Sequence, residues 1–246
     1  MKFLLTIFII FVFLLQAKEQ TLTISTGFNK IEAKFLKHII SDGFKRAKLN
    51  LNFQSLPNQR SLINANNGVN DGEAARISKI NKIYPNLLKI NVPIHHIDIV
   101  ILSKKNILIK QTSDLKKYHI GVIRGVKITE KIAENFSTYP IIKATNYKTL
   151  IKMLINARVD VIIVNKIGAF TELTNFKNET FYMKKKPLAS PKLYMFLNKK
   201  NSLLVPKFEK AFRSMQKDKT IKNMNKLLNK DIKSKLLNSV KVIEYD

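Results

Sequence analysis

The 246-residue chain has no cysteine and no tryptophan, and its 17 Asp and Glu stand against 44 Lys and Arg. The lack of cysteine excludes disulfides, thiolate-held zinc, iron–sulfur clusters and a cysteine nucleophile. Four histidines leave little for a metal centre. His95 and His96 are neighbours, and neighbours on a strand face opposite sides, so no metal and no cofactor is expected. The shortage of acid leaves a net charge of +27. That charge is scattered: the longest basic run is Lys184-Lys185-Lys186, and no basic arm interleaved with aromatics occurs. Its texture, with the density of Asn and Ile, reads as a lysine-rich solvated surface from a biased genome and predicts no nucleic-acid partner. With 45% hydrophobic residues the chain is long and apolar enough for one large domain or two small ones.

One long apolar run exists. Lys2 precedes an apolar stretch from Phe3 to Leu15, broken only by Thr6, and Gln16-Ala17-Lys18 then turns polar. This is the layout of an export signal, residues 1–17, with Ala17 before the cleavage point. The competing reading is a membrane anchor, but the run is shorter than the roughly 20 residues that cross a bilayer. No cysteine stands at the exit for a lipid anchor. The expected location is periplasmic, as a soluble protein released from its signal.

Beyond the signal, strand and helix patterns alternate. Thr21-Leu22-Thr23-Ile24-Ser25 alternates as a strand, residues 31–46 carry Ile31, Phe35 and Ile39 at helical spacing, and Leu49-Asn50-Leu51-Asn52-Phe53 alternates again. Residues 60–66 predict a short helix ending at Asn67-Gly68. A second set follows: strands at 119–123, 141–144 and 159–164, helices at 129–136 and 147–157. Pro187 and Pro191 bracket a linker, Leu193-Tyr194-Met195-Phe196-Leu197 predicts a buried strand, and residues 206–219 and 220–229 predict helices with Phe208, Phe212, Met215, Met224, Leu227 and Leu228 as packing stripes. The class is α/β, with two βαβ sets and no tandem repeat.

Four stretches carry a resemblance. They are Ala65-Asn66-Asn67-Gly68-Val69-Asn70-Asp71-Gly72-Glu73-Ala74-Ala75-Arg76-Ile77; Ser113-Asp114-Leu115-Lys116-Lys117-Tyr118-His119-Ile120-Gly121-Val122-Ile123-Arg124-Gly125; Leu154-Ile155-Asn156-Ala157-Arg158-Val159-Asp160-Val161-Ile162-Ile163-Val164; and Leu197-Asn198-Lys199-Lys200. In this order they are similar to the family 3 extracellular solute-binding proteins, the type II periplasmic binding proteins of amino-acid ABC importers. The resemblance implies two lobes joined by two crossing segments, with a ligand clamped between them. Lobe one would comprise residues 20–96 and 191–246, and lobe two residues 97–190.

The resemblance also implies where a ligand would lie. Typical members hold an α-carboxylate with an arginine beyond the motif Asp71 and an α-amino group with an Asp after Asp160; here those places hold Ile83 and Asn165. Arg76 remains as the anchor for an anionic group, through its planar fork. The alternative for Arg76 is a salt bridge to Glu73. Glu73 itself would bind a cationic group, orient Arg76, or do neither. Arg124-Gly125 sits between a strand and a helix, where backbone N–H groups receive anions. Phe28 offers an apolar wall or core packing, and Asn165 suits a neutral polar group.

The function expected is a monomeric solute-binding protein, not an enzyme, that takes a small polar, anionic or amino-acid-like ligand to an ABC permease or a sensor. Two alternatives stand beside it. One is a periplasmic enzyme of the same fold, similar to cyclohexadienyl dehydratase, using Glu73 with Arg76. The other is a basic binder of polyanions or membrane surfaces. At this stage Arg76→Ala is expected to abolish ligand binding with little change in melting temperature, which calorimetry and thermal denaturation check together.

Overall fold

The computed structural model describes residues 20–107, 109–237 and 240–246; the expected export signal lies outside them. Two mixed sheets, each flanked by helices, make the two-lobed fold.

In the first sheet, β1 (Thr21–Thr26) turns Leu22 and Ile24 into the core and runs parallel to β2 (Asn50–Ser55), with Thr21 opposite Asn50 and Thr26 opposite Ser55. Between them lies α1 (Lys30–Arg46). The Asn29 side chain caps it by accepting the N–H groups of Ile31 and Glu32, and Lys45 and Arg46 suit the negative end of its dipole. Its buried residues Phe35, Leu36, Ile39, Ile40 and Phe44 recur at the helical period, which makes the face it lays on the sheet. α2 (Asn58–Asn66) then leads to β3 (Gly72–Ile77), parallel to β1. β4 (Leu87–Lys89) and β5 (His95–His96) both pair antiparallel with β11 (Lys192–Asn198), giving the order β2-β1-β3-β11-β4 with β5 also on β11.

The second sheet has the order β12-β10-β6-β9-β7-β8, from β6 (Ile99–Ser103), β7 (Ile120–Ile123), β8 (Ile142–Ala144), β9 (Val161–Asn165), β10 (Thr180–Lys184) and β12 (Lys241–Tyr245). Every residue of β6, β7 and β9 is buried, as the continuous apolar runs require when both sheet faces are covered. The covering helices include α3 (Lys127–Phe136), α4 (Tyr147–Ile155) and α5 (Lys166–Leu173). On the first lobe, α6 (Val205–Lys217) and α7 (Thr220–Leu237) pack against α1, with the Phe208 and Phe44 rings 4.7 Å apart. Leu227 departs from its predicted stripe and stands 62% exposed, while Leu228 is buried.

The chain passes from the first sheet to the second between β5 and β6 and returns between β10 and β11. It then crosses a third time, because β12 pairs in parallel with β10. The assignment of all of 191–246 to the first lobe is corrected here: residues 241–245 belong to the second sheet, whose edge they cover. Two crossing segments thus become three. Among the described residues no helix is long and apolar enough to cross a membrane.

His95 joins the first sheet to α7. The Asn225 amide donates to Ile94 O at 3.2 Å and Ile221 O at 2.8 Å, so its oxygen is left to accept from His95 Nδ1. The ring lies 5.3 Å from that of Phe35, and its Nε2 is buried with no partner among the described residues. A proton on Nε2 would be a buried charge with nothing to receive it. Burial therefore pulls His95 from 6.5 down to about 4, against the Asn225 bond and with a further push from His96. Between these values the unfolded chain binds more protons than the folded one, so stability falls as pH drops from 6.5 to about 4. Urea denaturation across this range is expected to show a loss of roughly 3 kcal/mol from this group; His95→Gln flattens that part of the slope, and an unchanged slope contradicts the assignment.

Candidate functional site

Parallel strands place their C-terminal ends on one side of a sheet, and ligands of open α/β sheets gather there. In this chain those ends face each other across the lobes. Gly27 and Phe28 follow β1, Asn58 follows β2, and Arg76 lies at the end of β3. From the other lobe come Gly125 and Val126 after β7, Tyr147 after β8, and Asn165 at the end of β9. Together they line an interlobe chamber of about 40 Å³, with Ile77, Ile80, Ile97, Ile128 and Leu193 as apolar wall. That is room for a few water-sized groups. A wider basin of about 870 Å³ opens beside it, sharing Gly27, Phe28, Asn58 and Tyr147.

Arg76 reaches the chamber through an irregularity. On a regular strand, residues three apart face opposite sides. The pairing of β3 with β11 shifts register between Tyr194, opposite Arg76, and Phe196, opposite Glu73. Three steps on β3 match two on β11, the signature of a bulge with one extra residue on β3. The bulge returns Arg76 to the side of Glu73, and its Nε donates to Glu73 Oε1 at 2.8 Å. Nη1 donates to Asn58 Oδ1 at 2.8 Å and Nη2 to Asn58 O at 3.3 Å. Three of the five guanidinium N–H groups are thus engaged among the described residues, and two remain.

Glu73 is fully buried and takes hydrogen bonds from Ser61 and Ser25 as well as from Arg76. Burial raises its carboxyl even against these partners. It does not line the chamber; of the three roles open to it, it performs the orienting one. The salt bridge and the cleft position of Arg76 are therefore both realised. The pair also revises the expectation for Arg76→Ala: removing one partner of a buried pair strands the other at a cost of about 3–5 kcal/mol, so the melting temperature falls.

One further expectation is corrected. The Gly125 N–H, expected to receive a ligand anion, already donates to Glu130 Oε1 at 2.8 Å. Gly125 serves the interface instead: its φ is +85°, and a Cβ there would stand 2.5 Å from Gln59 N on the other lobe, so only glycine lets the jaws meet. Arg124 is exposed and lines the outer basin, not the chamber. Phe28 lines both cavities.

Asn165 lines the chamber, and each polar atom of its side chain has one partner. Oδ1 caps α5 by accepting from Ile167 N, and Nδ2 crosses the lobes to Glu32 Oε1 at 2.6 Å. Glu32, unforeseen, is fully buried on α1; Asn29 Nδ2 donates to its other oxygen at 2.6 Å. Burial outweighs both amides and pushes its carboxyl up from 4.5 to about 8. Tyr147, also unforeseen, is raised by burial and then by Glu32, and its ring occupies the space a Cβ at Gly168 would need. Asn58 and Lys127 complete the missed polar lining; Lys127 Nζ is paired with Glu130 Oε2 at 2.8 Å. Among the described residues no group of three or more His, Asp or Glu could hold a metal.

Neither a family model nor a curated protein matches the sequence. Solved structures do match the fold. An ancestral arginine-binding protein bound to arginine superposes with a TM-score of 0.70 at 19% identity, over 85% of this chain and 98% of that one. The arginine-, lysine-, histidine-binding protein ArtJ from Geobacillus stearothermophilus gives 0.69 at 19% identity, over 85% and 95%. The amino acid ABC transporter substrate-binding protein AbpA from Streptococcus pneumoniae, bound to L-arginine, gives 0.68 at 13% identity, over 88% and 96%. At such identities the likeness is one of fold.

The Glu32–Asn165 contact crosses the lobes, so an opening that brought water to Glu32 would be linked to pH. With the lobes shut, Glu32 keeps its proton up to about pH 8; opened to water it returns toward 4.5 and releases it. Between these values the closed form binds more protons, so rising pH favours opening. Small-angle scattering from pH 6 to 9 is expected to show a growing radius of gyration in the wild type and a constant one in Glu32→Gln.

Proposed function

We propose that the chain is a periplasmic solute-binding protein, released from its export signal, that captures a small anionic ligand between its lobes as a monomer and delivers it to an ABC-type importer or a sensor. The observation that carries this reading is Arg76: a guanidinium on the wall of a closed interlobe chamber, held by a buried acid the ligand cannot reach, with two N–H groups left. The residues proposed to touch ligand are Arg76, Phe28, Asn58, Tyr147 and Asn165, with Glu73 positioning Arg76 and Gly125 allowing the jaws to meet. The helices α1 to α5 also turn their N-terminal ends toward the two cavities, where Asn29, Asn58, Lys127, Asn146 and Asn165 form the lining, and the positive dipole ends favour an anion.

The lining narrows the ligand. No Asp or Glu faces the chamber, so an ammonium group would enter without a counter-charge. A carboxylate or phosphate unaccompanied by an amino group fits better than a zwitterionic amino acid. The buried state of Glu73 also speaks against the enzymatic alternative, because the acid it relied on is sealed from any substrate.

A thermal-shift screen against organic acids, phosphorylated compounds and amino acids tests the reading. A ligand at a hundred times its Kd stabilises by about 2.7 kcal/mol, roughly 5–10 °C for a chain of this size. Arg76→Lys keeps a charge beside Glu73 but lacks the fork. It is expected to fold and to lose the shift; a shift retained in this variant contradicts the role of Arg76.

A further inference from the structure

The outer basin is built like a second half of the site. It holds about 870 Å³ against about 40 Å³ in the chamber, and the two adjoin, with Gly27, Phe28, Asn58 and Tyr147 lining both. The chamber accepts a group of a few heavy atoms, such as one carboxylate; the rest of any ligand must lie in the basin. Both jaws supply its charges: Arg60 comes from α2 on the first lobe, Arg124 and Lys148 from the second. None of these three cations has an ion-pair partner among the described residues. The one carboxylate of the lining, Glu172, accepts from Asn175 Nδ2 at 3.2 Å. Closing the cleft therefore brings unpaired positive charge on one jaw toward unpaired positive charge on the other, a repulsion that a bound anion removes.

We propose that the ligand carries two anionic groups, one held by Arg76 in the chamber and the other in the basin by Arg60 and Arg124 from opposite jaws, with Lys148 beside them. This rests on the cleft-binding function proposed above and names its ligand class: an elongated small molecule with a carboxylate or phosphate at each end. The second group does more than add affinity. By neutralising cations on both jaws it makes closure selective for dianions, and a monoanion that fills only the chamber leaves the repulsion in place.

Calorimetric titration of the purified protein with matched probes tests this. Butyrate and glycerate serve as monoanions, with glutarate and 3-phosphoglycerate as their counterparts carrying a second carboxylate or a phosphate. The two probes with a second anionic group are expected to bind at least tenfold more tightly than their partners, with an advantage that shrinks as salt is raised and, at equal geometry, is larger for the more highly charged phosphate. Arg60→Ala and Arg124→Ala, exposed positions whose loss leaves the folded core intact, are each expected to remove most of that advantage and, by relieving the repulsion between the jaws, to raise monoanion affinity. The preferred counterpart shows whether the second group is a carboxylate or a phosphate. Equal affinity for monoanions and dianions, with binding still lost in Arg76→Lys, overturns the second subsite and leaves the solute-binding function standing. Absence of binding by all four probes overturns both.

Discussion

A guanidinium offered to a ligand inside a dry cleft needs a counter-charge that the ligand cannot compete for. Glu73 meets this requirement because it lies behind Arg76, fully buried and tied to Ser61 and Ser25. Stripped of water, such a pair is favourable only if its remaining lone pairs and protons are satisfied; here the two serines serve Glu73 and Asn58 serves Arg76, leaving two N–H groups for a ligand. The arrangement depends in turn on the bulge in β3, since a regular strand would have sent Arg76 to the opposite face. Asn58 anchors this fixed cation from the end of β2, and the second lobe lines the chamber with Tyr147, Asn165 and a Lys127 already paired with Glu130.

The interface between the lobes combines a steric and an electrostatic condition. Gly125 lets backbone touch backbone, and Asn165 extends an amide to an acid that belongs to the other lobe. Neither contact would survive ordinary substitution, by a Cβ in the first case or a charge in the second. The jaws thus meet through groups too small or too neutral to resist each other near the chamber, while like charges face across the basin outside it. A ligand spanning both regions would meet one fixed cation, Arg76, at a close-fitting inner end and several cations at a wider outer one.

Most of the fold was legible because its strands and helices obey their periods. The run at 159–164, the alternation of 21–25 and the stripes of α1 and α6 all lie where the sequence places them. What escaped has physical reasons. β12 is a short edge strand whose partner lies far back in the sequence, and α5 follows β9 without a break except the Asn165 cap. Arg76 was legible as a lone arginine after a motif, but its orientation depends on a bulge that becomes visible only in the pairing. Gly125 misled because the acid that takes its N–H, Glu130, comes from the first turn of the following helix, and the local pattern resembles an empty anion site. Glu32 left a signal that went unread: with Phe35, Leu36 and Ile39 it stands on the buried stripe of α1, where a solvated acid would not be expected.

The place of β11 governs when the molecule can become itself. It lies between β3 and β4, and β4 and β5 pair with no other strand among the described residues, yet all of the second sheet except β12 precedes it in the chain. The first lobe therefore remains half a sheet until residue 198 is available, and the second lacks its edge until residue 245. Pairings of such long sequence separation form slowly. For a chain carrying the export signal that its sequence leads one to expect, such a delay would leave it threadable while it is moved, with the cleft taking shape only once both ends were on the same side.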